Sequence, residues 1–544
     1  GNVIYGLDKA IFGTENESDA NVANYGGALY SEIADGITFA IKNSLFRNNQ
    51  ALISGGAIYN ASGILDIQSD TQFVQNKANE QGGAIYNAVD ATVQLEKGIL
   101  IGADGLGNSA KYGGGIYNDG NLVITAGEEE YEQVNFVGNS ATLAGGAIYN
   151  NGNINSAAGN TIEYVNFVKN TAGDTTSNKA GKGGAIYNEN GTINIVKSLF
   201  DSNEAIGDAS EGGAIYNAEN GIITIGDETF IQNNKATGSS DSKGGALSNY
   251  GTANIKSGSS LILNETSGKG GAIYNAENGN LNIGSGVVIG GLLSDYYNET
   301  TPTAGNKASL GGGIYNDGTL NIEKNATVYI VGNEATDKGG GLYYNSQNAF
   351  STANYNMVFY GNRAANEGGG IYNSKDSAGL FIVSNARFDS NSATIGSAIY
   401  NAGNMYIAND NVFRNNTIGS AIGNEGILEL AEGFEFGYSQ NSIPPNAGAL
   451  YIKGDGVLNL TYKDDQSGKY SLYIHNTGYV GSDGNGAVDG AGLHLTDNST
   501  VNTKLPNGNV LNDTLYGAIF ANNLGFHGGG SVSYTHLTLP TNRE

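Results

Sequence analysis

Gly55-Gly56-Ala57-Ile58-Tyr59-Asn60 recurs along the chain, and its spacing sets the architecture. Near copies begin at Gly26, Gly82, Gly113, Gly145, Gly183, Gly212, Gly244, Gly270, Gly311, Gly339 and Gly368, and weaker ones at Gly396, Gly419 and Ala447. These 15 copies lie about 30 residues apart, with spacings from 23 to 41, so insertions sit between fixed elements. Self-similarity at such a period marks stacked supersecondary units, none of which can bury its apolar face alone.

Two further elements lie within each period. One follows the Asn after a turn, as in Gly63-Ile64-Leu65-Asp66-Ile67, Gly191-Thr192-Ile193-Asn194-Ile195 and Gly318-Thr319-Leu320-Asn321-Ile322. Apolar and polar residues alternate there, the period of a strand. The other is Phe-x-x-Asn-x-Ala, running from Phe73 to Ala78, Phe136 to Ala141, Phe167 to Ala172, Phe200 to Ala205, Phe359 to Ala364 and Phe388 to Ala393. Asn-Gly between strands ordinarily signals a hairpin. Three short strands in about 30 residues, repeated about 15 times, fit a coil that climbs and stacks each strand on its equivalent. The expectation is therefore an all-β, right-handed parallel β-helix (a solenoid) of about 15 coils with three short strands per coil. A β-propeller would close after roughly 4–8 blades.

Stacking assigns sides. The Ile position is Ile or Leu in all 15 copies, so it is expected to point into the core. Alternation then sends Ala57 and Tyr59 outward. The following Asn (Asn60, Asn87, Asn118, Asn150, Asn188, Asn217) is placed at a left-handed turn, where stacked amides can bond along the axis. The paired glycines let the chain bend or pack closely. Tyr59, Tyr86, Tyr117, Tyr149, Tyr187, Tyr216, Tyr274, Tyr315, Tyr372 and Tyr400 would then form an exposed aromatic ladder. Such a ladder can stack to stabilise the sheet or contact a sugar or partner protein.

Composition narrows the function. Of 544 residues 85 are Gly and only 5 are Pro, without the every-third-residue glycine of collagen. Hydrophobic residues make up 39%, enough to line a core. Lys plus Arg is 26 against 52 for Asp plus Glu, and no basic run offers a nucleic-acid interface. Cysteine is absent, which suits export. No stretch of about 20 apolar residues is present to span a membrane as a helix.

Residues 1–25 read as truncated N-terminal coils, 26–452 as the repeat region, 453–530 as degenerate coils or a cap, and 531–544 as a non-native tail. The chain starts without Met or a secretory signal and is read as a fragment, so the export route and any membrane anchor lie outside it.

Paired Gly-Gly-Ala-Ile and Phe-x-x-Asn elements, interleaved over residues 26–452, resemble the polymorphic outer-membrane protein repeat family. The resemblance implies an autotransporter-type passenger at the cell surface or secreted, used in adhesion. Its partner would be a protein or glycan of a host or neighbouring cell.

The competing class is a carbohydrate-active β-helix enzyme, a polysaccharide lyase or hydrolase, which needs acids clustered across adjacent coils. Here Asp66, Asp119 and Asp317 are scattered at turns, and Glu128-Glu129-Glu130 and Asp464-Asp465 read as solvated loops. Asp483 to Gly490 has alternating oxygen ligands but His494 where a calcium loop wants Glu, so it reads as an ordinary turn. The four His are not paired at metal-ligand spacing. No catalytic residue, metal or cofactor is expected. A non-enzymatic adhesin or structural stalk is the leading expectation, with specificity in insertions such as 173–181, 237–243 and 290–308.

Overall fold

A computed structural model describes residues 5–533 apart from 35–36, 156–161, 175, 177–178, 301–302, 437–448, 466–467, 476–491, 497 and 522–530. The chain divides into two units, Gly1–Val287 and Val288–Glu544. Each is a parallel β-solenoid in which strands pair with their equivalents one coil away.

In the first unit the Tyr strands Ile58–Ser62, Ile85–Asn87, Ile116–Asn118 and Ile148–Asn150 stack so that Ile faces Ile, Tyr faces Tyr and Asn faces Asn. The alternating element forms a second column, for example Ile64–Ile67 on Thr92–Leu95 on Asn121–Ile124. The N-terminal strands Tyr5–Asp8, Ile11–Phe12 and Val22–Tyr25 each pair in parallel with the equivalent strand of the next coil, the last with a register shift between Ala23 and Tyr25. In the second unit the Tyr column runs Ile314–Asn316, Leu342–Tyr344, Ile371–Asn373, Ile399–Asn401, Ile422–Asn424 and Leu450–Ile452. It continues with Leu493–Leu495 and Ser531–Ser533, although the motif itself has faded there.

The coil carries four strand positions rather than three. The Phe-x-x-Asn-x-Ala element is bent in the middle, into Gln72–Val74 and Lys77–Ala78 in one coil and Leu199–Asp201 and Glu204–Ile206 in another. The bend is made by the residue before the Asn, which is left-handed: Gln75 at φ +58°, Ser202 at +57°, Gly138 at +64°. Among the described residues the Phe and Ala positions each recur fourteen times.

Ile58, Leu65, Ile67, Phe73 and Ala51 are fully buried, so each column sends its own aliphatic or aromatic ladder inward. Phe46 and Phe73 stack at 4.8 Å, and Phe359 and Phe388 at 5.0 Å in the second unit.

Two expected orientations are corrected. Ala57 was expected to point outward, yet Ala57, Ala84 and Ala147 have no exposed surface. These residues precede the strand, in the bend where alternation does not hold. Where Gly115 takes the position, an added methyl would sit 3.1 Å from the Ile101 side chain of the Phe column, which shows the direction it faces. Asn60 and its equivalents were expected at a left-handed turn. Instead they are fully buried strand residues pointing inward, and the left-handed residue is the first glycine, such as Gly55 at φ +72°.

The Asn residues form two amide ladders inside the first unit. In one, each Nδ2 donates to the next Oδ1: Asn60 to Asn87 at 3.0 Å, Asn87 to Asn118 at 2.8 Å, Asn118 to Asn150 at 2.9 Å. In the other, at the Phe–Ala bend, Asn76, Asn108, Asn139, Asn170, Asn203 and Asn234 follow each other in the same sense. Here each Oδ1 also accepts the preceding Asn backbone N–H, and the second amide proton reaches a Phe-column carbonyl. Buried amides are tolerable because they bond to one another, only the Oδ1 of Asn60 at the end of its ladder lacking a partner among those named, and aligned chains of hydrogen bonds strengthen one another.

Candidate binding surface

Within each unit the tyrosines singled out from the sequence line one face of the coils. Rings stack at 4.6 Å for Tyr59–Tyr86, 5.4 Å for Tyr86–Tyr117, 4.8 Å for Tyr117–Tyr149, 4.7 Å for Tyr149–Tyr187 and 4.9 Å for Tyr187–Tyr216. Ser248 takes the ladder position in the next coil, and Tyr250, two residues on, leans into the gap at 5.2 Å from Tyr216 and 6.0 Å from Tyr274. In the second unit Tyr315, Tyr343, Tyr372 and Tyr400 stack at 4.7, 4.7 and 5.4 Å.

The expected exposure is corrected for most of them. Tyr30 is 51% exposed, and Tyr59, Tyr86, Tyr149 and Tyr187 are half-buried. Tyr117, Tyr216, Tyr274, Tyr315 and Tyr372 are buried, and Tyr400 has no exposed surface at all. The rings do point away from the core, as alternation requires. They are covered because neighbouring rings stack on their faces and flanking charged chains meet their edges, while Tyr400 stacks on Tyr372 alone and faces Gly423 in the next coil.

Those flanks occupy the hydroxyls. On one side acids accept from them: Tyr86 donates to Asp119 at 2.7 Å, Tyr149 to Glu189 at 3.1 Å and Tyr400 to Glu425 at 2.7 Å. On the other a row just before the Gly-Gly pair contributes cations and acids. Lys182 lies 4.5 Å over the Tyr216 ring, Lys243 4.9 Å over Tyr274, and Lys338 5.0 Å over Tyr372. Glu211, between Lys182 and Lys243, accepts from Tyr250 at 2.5 Å. Nothing in the repeat consensus alone announces these partners, since they sit at positions that vary from coil to coil.

Burial, reinforced by neighbouring acids, holds the phenols neutral. It pushes Tyr117 and Tyr372 from the usual 10.0 up to about 12, and raises Tyr86, Tyr149, Tyr187 and Tyr400 as well. A phenol whose folded pKa lies above its unfolded value contributes stability that is complete below the unfolded pKa. That contribution disappears as pH climbs through the folded value. The solenoid should therefore hold to about pH 10 and lose β-structure between pH 10 and 12, with phenolate absorbance rising in the same step. Independent titration of all tyrosines near pH 10, with the circular dichroism unchanged, would refute the covered ladder.

Among the described residues no three His, Asp or Glu converge as a metal-ion group, and no helix is long and apolar enough to cross a membrane. Glu128, Glu129 and Glu130 lie in the 3-10 turn and its approach, and Asp464 pairs with Lys469 at 3.2 Å. Asp483 to Gly490 lies outside the described residues, as do His527 and His536.

A family model, the Chlamydia polymorphic membrane protein repeat, matches residues 43–61, 70–88, 133–151, 164–189 and 356–374. Each match runs from a Phe strand around the Asn bend to a Tyr strand, so the matched unit is the part of the coil that holds both amide ladders. No curated protein matches the chain. The chain is a β-solenoid that matches the polymorphic membrane protein repeat at five places.

Proposed function

We infer that this chain is the surface-exposed passenger of a bacterial envelope protein, acting as an adhesin or structural stalk. The observation that carries the reading is the repeat itself, matched at five places to a family of membrane proteins and folded as a solenoid. A solenoid extends by adding coils, each stabilised by its neighbours, so it builds a long display surface without a large single core. The side chains between repeats are free to vary while Gly, Ile and Asn keep the coil. The partner on this reading is a protein or glycan of a host or neighbouring cell.

Two measurements test it. Labelling intact producing cells with a membrane-impermeant amine reagent should modify the chain's lysines while a cytosolic control stays unlabelled. Beads coated with the purified chain should adhere to cell layers more than beads coated with an unrelated β-solenoid. An unlabelled chain on intact cells sinks the surface assignment. Equal adherence of the two bead sets sinks the adhesin role. Product release from a panel of neutral and acidic polysaccharides would instead establish the competing enzyme.

A further inference from the structure

The insertion at 290–308 builds the only α-helix among the described residues, Leu293–Tyr297, and lays it over the outer face of the Phe column in the second unit. The insertion is pinned at several points. Asp295, 8% exposed, accepts from the Thr303 backbone N–H at 2.9 Å and the Thr303 hydroxyl at 2.8 Å. Tyr360 donates to the Thr300 carbonyl at 2.8 Å, and Glu299 pairs with Arg414 at 3.1 Å. Tyr296 packs on Val331, Val358 and Tyr360.

Beside this helix lies a recess of about 260 Å³. Tyr296, Tyr329, Val358, Asn356 and Asn385 are among the residues that line it. Tyr297, 64% exposed, stands at its edge with its hydroxyl 3.2 Å from that of Tyr329. Arg387 lies 5.6 Å over Tyr296 and donates to Asp389 at 2.7 Å, while its Nε is buried without a partner.

We propose that this recess is a binding subsite for a neutral glycan. A pyranose presents an apolar C–H face, edged by hydroxyls that both donate and accept. Tyr296 is capped by Arg387, and the exposed Tyr297 with Tyr329 offers electron-rich ring surface for the first. Asn385 Nδ2 is engaged by Asn356 Oδ1 and the Tyr355 carbonyl, which leaves Asn385 Oδ1 to accept from and Asn356 Nδ2 to donate to the second. Charge decides between neutral and acidic sugars. The one guanidinium in the recess is already matched by Asp389, Asp410 lies on the same wall, and the chain carries a net charge of −26. Nothing is left to hold a carboxylate or sulfate. The size suits one sugar unit, being smaller than the roughly 300–1,000 Å³ of drug-sized pockets.

The proposal deepens the surface reading, on which it rests for the source of its ligand. The test uses the full chain with chitotriose, maltotriose and lactose as neutral probes and sialyllactose and a heparin tetrasaccharide as acidic ones, followed by saturation-transfer NMR and calorimetry. At least one neutral probe should bind with a Kd of about 1 mM or tighter. Tyr297→Ala should weaken it tenfold or more without lowering the melting temperature, and Tyr131→Ala, at an exposed site in the first unit, should change nothing. The proposal is overturned if no neutral probe binds, if Tyr297→Ala binds as well as the parent, or if the acidic probes bind more tightly. Adhesion without sugar binding removes this site and leaves the surface reading. Sugar binding by a chain that is never labelled on intact cells does the reverse.

Discussion

Gly213→Ala should cost at least about 3 kcal/mol, the upper part of the range for overpacking a core, because nothing around the added methyl can move out of its way. The new carbon would lie 2.1 Å from the Gly245 carbonyl oxygen and 2.5–2.6 Å from the Lys235 backbone. All of these are main-chain atoms of the next coil. They are fixed by the ladder in which Gly213 N–H donates to Gly244 at 3.0 Å and Ala214 N–H to Ala246 at 3.1 Å. The first glycine of the pair has a different reason to be glycine: Gly212 sits at φ +67°, where a side chain is strained. The control is Gly115→Ala. Its methyl would meet the Ala147 carbonyl oxygen at 2.8 Å, but Ala84 and Ala147 already fill this position in the adjacent coils. It should stay within about 1 kcal/mol of the parent. Because solenoid coils depend mainly on nearest neighbours, hydrogen exchange should show loss of protection centred on residues 204–250. Equal damage from the two substitutions would mean that close approach of coils is not what the second glycine serves.

The two glycines also show how far the sequence could be read. Repetition made the column structure legible, because any residue type demanded once per coil must face its own copies. The Ile core and the Tyr face followed from that. The two places where the reading went astray are both bends. Strand alternation does not reach back to Ala57, because the chain turns before Ile58, and the turn expected at Asn60 is absent because the chain stays extended there. The bend inside Phe-x-x-Asn-x-Ala escaped notice because its left-handed residue is not a constant type within the chain: Gln75, Gly138, Lys169 and Leu263 all serve. With it went the second amide ladder, whose Asn was visible in the motif without its partner.

The surface was less legible for a physical reason. Exposure depends on what flanks a residue in three dimensions, and the Lys and Glu rows beside the tyrosines come from variable positions. The recess beside Leu293–Tyr297 combines one insertion with residues of four coils, a juxtaposition that no linear motif contains.

Asn170→Leu should be as damaging as the glycine change, and the paired variant Asn170→Asp should show why. Asn170 is fully buried. Its Oδ1 accepts from the Asn139 backbone N–H and from Asn139 Nδ2, both at 3.0 Å. Its Nδ2 donates to the Phe136 carbonyl and to Asn203 Oδ1, both at 2.9 Å. Leucine fills the volume but leaves two donors of Asn139 without acceptors in a dry interior. At about 1–3 kcal/mol for each unsatisfied group the loss should be about 4 kcal/mol, and it should not vary with pH. Aspartate keeps the acceptor and turns the other edge against two oxygens. As a carboxylate it would be both buried and repelled, so its folded pKa must rise well above the unfolded value of about 3.9. A raised acid is compatible with folding while protonated and costs stability once pH exceeds the unfolded pKa. The Asp variant should therefore approach the parent at pH 4 and fall at least about 3 kcal/mol behind it by pH 7, since a tenfold difference in proton affinity between the folded and unfolded chains is worth about 1.4 kcal/mol. Denaturant midpoints for parent, Leu and Asp variants at pH 4 and 7 supply the comparison. An Asp variant equally stable at both values would show that the amides are spacers, and that the polarity running from coil to coil does not hold the solenoid in register.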